Sequence, residues 1–269
     1  MPDNTVNILF IGDIVGKIGR KAITAILPKL RKKHNIDLVI ANVENLAHGS
    51  GVTHSTLEEI QNAGVDFCTS GNHIWAKPEG VNILGMPDSP VLRPANYPPG
   101  LPGHGEKILT IGTKSILVIN LLGRMFMKAS PDCPFRTLEA ILTNHREKKF
   151  DAIIVDFHAE ATSEKKALGL FVDGKVSAVL GTHTHIPTAD EQILPMGTAY
   201  MTDVGFVGAT HSVLGFSPES SITPHILQLP PKADIPETGT ASLCAALVTV
   251  QSSTGHATHI SRIYQEVNI

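Results

Sequence analysis

Short apolar runs that stop at a polar, metal-ligating side chain recur along this chain, and they constrain its fold more than any other feature. Residues 6–11 stop at Gly12-Asp13, residues 37–41 at Asn42-Val43-Glu44-Asn45, and residues 65–69 at Ser70-Gly71-Asn72-His73. Further on, residues 152–157 lead into His158, and residues 176–180 into Gly181-Thr182-His183-Thr184-His185. Apolar runs this short and this rich in β-branched residues predict buried, mostly parallel strands. In open α/β sheets, ligands collect outside the carboxyl ends of the strands. Carboxylates, amides and imidazoles repeated at those ends are what one assembled site leaves in a sequence.

Extended backbone puts residues two apart on the same side, so His183 and His185 are expected to reach a common site. Imidazole is the commonest metal-ligating side chain, although an isolated His-x-His reads equally well as two surface histidines in a polar turn. His158 is a further ligand candidate, with Asp156 supporting it from the same strand face. Asp13, Glu44, Asn45 and Asn72 supply oxygens. Glu160 is assigned no role at this level. His48, in the flexible connector 46–52, fits either substrate contact or a solvated loop. Arg124 fits either a phosphate oxygen or a surface salt bridge.

Composition narrows the function classes. The 269 residues are 42% hydrophobic and 17% charged, which suits one large α/β domain spanning 1–269. A net charge of -3 without a long Lys/Arg run offers no extended nucleic-acid groove and no match to an anionic membrane surface. Cys68, Cys133 and Cys244 are odd in number and far apart, against a disulfide framework or a thiolate zinc site. The N-terminus lacks a signal-peptide pattern and no apolar run nears the roughly 18 residues that span a bilayer, so a cytoplasmic protein is expected. Gly12, Gly16, Gly19 and Lys17 do not make a phosphate loop: three residues separate the first two glycines, and Ile18 stands where a hydroxyl should bind magnesium.

The pattern also predicts helices over 18–33, from Thr53 or Ser55 to Ala63, and over 134–149. Residues 106–111 and 115–120 read as a hairpin around Gly112-Thr113, and the proline-rich stretch 87–105 as surface connection. Residues 205–240 have little periodicity and read as a surface or assembly segment. Residues 242–250 and 256–263 read as an antiparallel pair closing the second sheet.

In chain order, Gly12-Asp13, Glu44-Asn45, Gly71-Asn72-His73, His158 and Gly181-Thr182-His183-Thr184-His185 resemble the calcineurin-like metallophosphoesterases. Asn42-Val43-Glu44-Asn45, Gly71-Asn72-His73-Ile74-Trp75, Leu92-Arg93-Pro94-Ala95-Asn96 and the phrase from Asp156 to Lys165 resemble more closely their YmdB-like branch of 2′,3′-cyclic-nucleotide phosphodiesterases, over nearly the whole chain. Val15 stands where the wider superfamily has histidine, and Glu44 replaces its bridging aspartate. Both departures are those of the branch.

The resemblance implies an α/β fold, a four-layer α-β-β-α sandwich of the metallophosphoesterase type, with a dinuclear metal site at the strand ends. It implies that Asp13, Asn45 and His185 bind one ion and Asn72, His158 and His183 another, with Glu44 bridging. The mixed oxygen and nitrogen donors fit two divalent or trivalent ions, iron first and manganese as the alternative. Two such ions can lower the pKa of a bridging water for attack on phosphorus, and His73 would then protonate the leaving oxygen or, on a blander reading, orient Asn72. The expected activity is hydrolysis of a small phosphodiester, 2′,3′-cAMP above all, by a homo-oligomeric enzyme. A regulatory nucleotide- or RNA-binding protein, or a phosphomonoesterase or nuclease on the same centre, are the alternatives.

Overall fold

The computed structural model describes residues 5–230 and 234–269. Its first half alternates strand and helix: β1 (Thr5–Ile11), β2 (Asp13–Ile14), α1 (Gly16–Lys33), β3 (Leu38–Asn42), α2 (His54–Asn62), β4 (Phe67–Thr69) and α3 (Pro78–Leu84). There follow β5 (Glu106–Ile111), β6 (Lys114–Leu122), α4 (Pro134–Asn144), β7 (Ala152–His158), α5 (Thr162–Phe171) and β8 (Ala178–Thr182). The chain ends with β9 (Gln192–Ile193), β10 (Ala199–Met201), β11 (Phe206–Ala209), α6 (Pro218–Leu227), β12 (Thr240–Gln251) and β13 (His256–Asn268).

The strands form two sheets. One runs β2-β11-β12-β1-β3-β4 with β13 on the far side of β12, and the other runs β5-β6-β7-β8-β10-β9. Alternation along β1 explains the layering: Ile8 and Phe10 face Val118 and Ile154 of the other sheet, while Leu9 and Ile11 face Ile18, Ile23 and Leu27 of α1. Leu138 of α4 and Leu168 of α5 cover the outer face of the second sheet against Leu117 and Val155. The order is thus helix, sheet, sheet, helix, and strands buried on both faces account for the unbroken apolar runs. Helix α2 starts on a capping box in which Thr53 and Thr56 bond reciprocally.

Parallel pairing brings the carboxyl ends together. Asn42 pairs with Thr69, His158 lies between Leu122 and Thr182, and Asp13 is beside Phe206. The 106–111 and 114–122 hairpin forms as expected.

Several expectations are corrected. The 242–250 and 256–263 strands belong to the first sheet, because β12 pairs with β1 and β11 on one edge and β13 on the other. The 87–105 stretch is not mere surface: Leu92 lies in the inter-sheet core, and buried Asn96 exchanges hydrogen bonds with Leu122. Helix α4 stops at Asn144, five residues short of the predicted end. Within 205–240, Phe206–Ala209 is a buried strand, whereas no residue of α6 is buried. No helix among the described residues is long and apolar enough to cross a membrane.

Candidate metal centre

Each strand end delivers its side chain for a local reason. Gly12 lets the chain turn from β1 to Asp13, since a Cβ there would sit 1.9 Å from the Gly205 carbonyl oxygen. Asn42, the last residue of β3, accepts from the Glu44 N–H at 3.1 Å and so bends the chain to place Glu44 and Asn45. Past β4, Gly71 passes so close that a Cβ would lie 2.3 Å from both Glu44 Oε2 and His158 Nε2. Only glycine leaves those groups in place.

The imidazole and carboxylate donors converge. His158 Nε2 lies 3.2 Å from Glu44 Oε1 and 3.0 Å from His183 Nδ1. Donor atoms of Glu44, His158 and His183 fall within 4.8 Å of one another. Beside them, Asp13 Oδ1 is 3.7 Å from His185 Nε2 and 3.9 Å from His158 Nδ1. Asn45 turns its amide nitrogen toward Asp13 and His185, at 3.4 and 3.3 Å, and its oxygen to His73 Nδ1 at 2.9 Å. A half-turn of that amide would present the oxygen to the Asp13–His185 pair. Asn72 Oδ1 is buried yet accepts no hydrogen bond.

The His-x-His segment meets its neighbours by a route the sequence did not reveal. Strand β8 stops at Thr182, and His183 and His185 have φ of 100° and 64°, so the segment is not extended. This corrects the period-two argument for their convergence. A left-handed backbone is costly for side chains other than glycine and persists only where its surroundings fix it. Here buried Lys165 donates to Thr182 O at 2.8 Å and to Asp203 Oδ2 at 2.6 Å, and Asp203 Oδ2 accepts from Thr184 N–H at 3.0 Å. His183 is thus clamped on both sides through its backbone. The His185 ring stacks on Phe206 and its Nδ1 lies 2.9 Å from Leu214 O, leaving Nε2 toward Asp13.

A family model described as YmdB-like protein matches residues 9–263. The chain belongs to the YmdB-like family. A relative from Bacillus subtilis (strain 168) named 2′,3′-cyclic-nucleotide 2′-phosphodiesterase is 42% identical over 259 residues, covering 96% of each chain. A crystal structure of a hypothetical protein from Thermus thermophilus superposes with TM-score 0.89 at 41% identity, over 97% of this chain and 99% of that one. One of a novel phosphatase from Mycoplasma pneumoniae gives 0.90 at 33%, over 98% and 94%.

The donor set of this YmdB-like chain fits metal ions. Carboxylates, amides and imidazoles without a thiolate are ligands for hard or borderline cations, and the unpartnered Asn72 oxygen has the character of a ligand atom. Burial disfavours a charged His158, but the Glu44, Asp13 and Asp156 carboxylates outweigh it and push its pKa up to about 9. Burial and the adjacent His158 push His183 down to about 3. Burial would raise Asp13, yet bonding and attraction to His185, with the charge on His158, hold it well below the carboxylate range. The buried carboxylates therefore draw positive charge to this spot.

Support from behind comes from Asp156 and from the side chains that fix it. Thr182 Oγ1 donates to Asp156 Oδ1 at 2.7 Å and lies 2.9 Å from His158 Nδ1, while the Asn42 amide donates to Asp156 Oδ2 at 3.0 Å. Asp156 is thus placed as expected, and burial pushes its pKa up to about 6. Lys165 and Asp203 were missed because nothing local in a sequence pairs residues 38 apart.

Above the donors, a cavity of about 240 Å³ is lined by Glu44, Asn45, His73, Glu160, His183 and His185 among others. His73 is 45% exposed there, its backbone N–H bonded to Glu44 Oε2 at 2.9 Å. His48 and Arg124 are not brought into this cavity. His48 lines a neighbouring one with Lys17 and Arg20, and Arg124 lines another with Met125 and Phe135.

Proposed function

We propose that this chain is a metal-dependent phosphodiesterase acting on 2′,3′-cyclic nucleotides such as 2′,3′-cAMP. The observation that carries it is the convergence of Glu44, His158 and His183, with Asp13 and His185 beside them, from separate strand ends beneath one cavity. The name of the Bacillus relative, 42% identical, supports the substrate class.

In this reading Asp13, Asn45 and His185 would hold one ion and Asn72, His158 and His183 a second, with Glu44 shared. Iron, or alternatively manganese, suits those donors. Bound there, the ions supply the Lewis-acid charge that polarises a phosphoryl oxygen. The chain's own residues do the rest. Asp156 and Thr182 fix the ring of His158, and the Lys165–Asp203 pair fixes the turn that carries His183. With the Asn45 oxygen turned to the ion, its amide nitrogen would donate to His73 Nδ1, 2.9 Å from that end of the amide, and leave the ring hydrogen on Nε2 to pass to the departing ribose oxygen. A cyclic phosphate needs no long basic groove, in keeping with the net charge of -3. A homo-oligomer in the cytoplasm belongs to the same reading, supported by exposed Ile222, Ile226 and Leu227 on α6.

The test is hydrolysis of 2′,3′-cAMP, 3′,5′-cAMP and a phosphomonoester by protein reconstituted with manganese or iron, with Glu44→Gln as the blank. Selective turnover of the 2′,3′ ester, abolished in a folded Glu44→Gln variant, is expected. No turnover of any ester with both metals bound would overturn the reading.

A further inference from the structure

Glu160 lies two residues beyond the end of β7, and its side chain is 49% exposed at the mouth of the cavity. Its Oε2 is 3.1 Å from His183 Nε2, the ring nitrogen turned away from His158. Among the described residues lining that cavity there is no lysine or arginine. The nearby cations are engaged elsewhere: Lys17 with Glu237, Arg20 with Glu59, and Lys165, buried, with Asp203. Most phosphate sites surround the anion with donors of positive charge. This one sets a carboxylate at its entrance.

We infer that Glu160 is a specificity-determining residue, a fixed negative charge that favours singly charged phosphodiesters over phosphomonoesters. The inference rests on the phosphodiesterase reading and deepens it. Hydrolysis adds one water across a P–O ester bond of the cyclic substrate: the phosphorus gains an oxygen, the ribose oxygen leaves with a proton, and a phosphomonoester results. The substrate phosphate carries one negative charge, whereas a phosphomonoester carries about 1.5 to 2 at neutral pH. The added charge arises inside a cavity whose mouth holds Glu160. Repulsion between unit charges several ångströms apart near a protein surface is worth on the order of tenfold in affinity. Glu160 therefore discriminates against monoesters as substrates and hastens departure of the product, so that the reaction stops after one ester bond. A neutral side chain at 160 would relieve repulsion of both esters, and would do so more for the more highly charged monoester.

The experiment compares wild type, Glu160→Gln and the charge-conserving Glu160→Asp, each loaded with manganese. Inorganic phosphate and dimethyl phosphate, similar in shape and different in charge, are titrated calorimetrically at low and high ionic strength. Expected in Glu160→Gln is tighter binding of both ligands, with phosphate gaining up to about tenfold more than dimethyl phosphate, a difference that shrinks in salt, and wild-type behaviour in Glu160→Asp. Hydrolysis of 3′-AMP relative to 2′,3′-cAMP should rise by a similar factor. Equal changes for both ligands, or loss of manganese in Glu160→Gln, would overturn the inference and make Glu160 a group that merely orients His183. A wild type that binds phosphate but cleaves no ester would refute the phosphodiesterase reading instead, while the two titrations still decide the role of Glu160.

Discussion

Replacing Lys165 by methionine tests how the turn that carries His183 is held. Lys165 is 1% exposed, and its ammonium spans Asp203 Oδ2 and the Thr182 carbonyl, at 2.6 and 2.8 Å. Methionine fills nearly the same volume without a donor, so the cost isolates charge and hydrogen bonding from packing. Breaking one side of a buried ion pair costs about 3–5 kcal/mol, because the other charge is left without compensation. Asp203 keeps the Thr184 and Gly205 N–H groups at 3.0 and 2.9 Å, which continue to stabilise the anion. The loss should therefore fall near the lower end, about 3 kcal/mol, within a total of about 5–15 kcal/mol for a typical protein. Urea unfolding of the metal-free protein measures it as a lower midpoint at unchanged slope. Adding Asp203→Asn should recover part of the loss, since no buried charge then remains. A single-variant effect below about 1 kcal/mol, or a double variant as weak as the sum of the two singles, would refute the idea that this pair balances charge around the turn.

Two further outcomes follow from the same geometry. Gly71→Ala pushes a methyl group to 2.3 Å from Glu44 Oε2 and His158 Nε2; overpacking should cost about 1–3 kcal/mol and metal content after dialysis should fall, whereas wild-type metal content would mean that these side chains can give way. Asp190 is held below the usual carboxylate range: burial raises it, but bonds from Thr188 and Thr202 outweigh that. Its stabilisation is present above the ordinary value of 3.8 and is lost as pH falls below it, so the stability gap between wild type and Asp190→Asn should narrow in acid. A gap independent of pH in matched unfolding curves would count against it.

Much of the site was legible because chemistry and fold impose local patterns. A strand buried on both faces must be nearly all apolar, and the residue that ends it must change character, so Asp13, Glu44, Asn72, His158 and His183 stand out without any knowledge of contacts. The hairpin at Gly112, the cap at Thr53 and the helix after Gly16 follow from equally local rules. Long-range partnership has no such signature. The short buried strand β11, placed beside Asp13 and under the ring of His185, looks like loop in a glycine-rich stretch. The antiparallel pair β12–β13 could have closed either sheet, and its pairing with β1 is decided by which apolar face it buries.

The sequence by itself determined the alternating α/β plan, the donor types and their order along the chain, since each is written in the periodicity or the residue at one position. Tertiary structure alone decided that His183 and His185 reach their neighbours through left-handed backbone, that Lys165 and Asp203 hold that turn, and that Glu160, not His48 or Arg124, faces the cavity. Those outcomes depend on groups brought together by packing two sheets, and distance in space is a quantity that spacing along a chain does not contain.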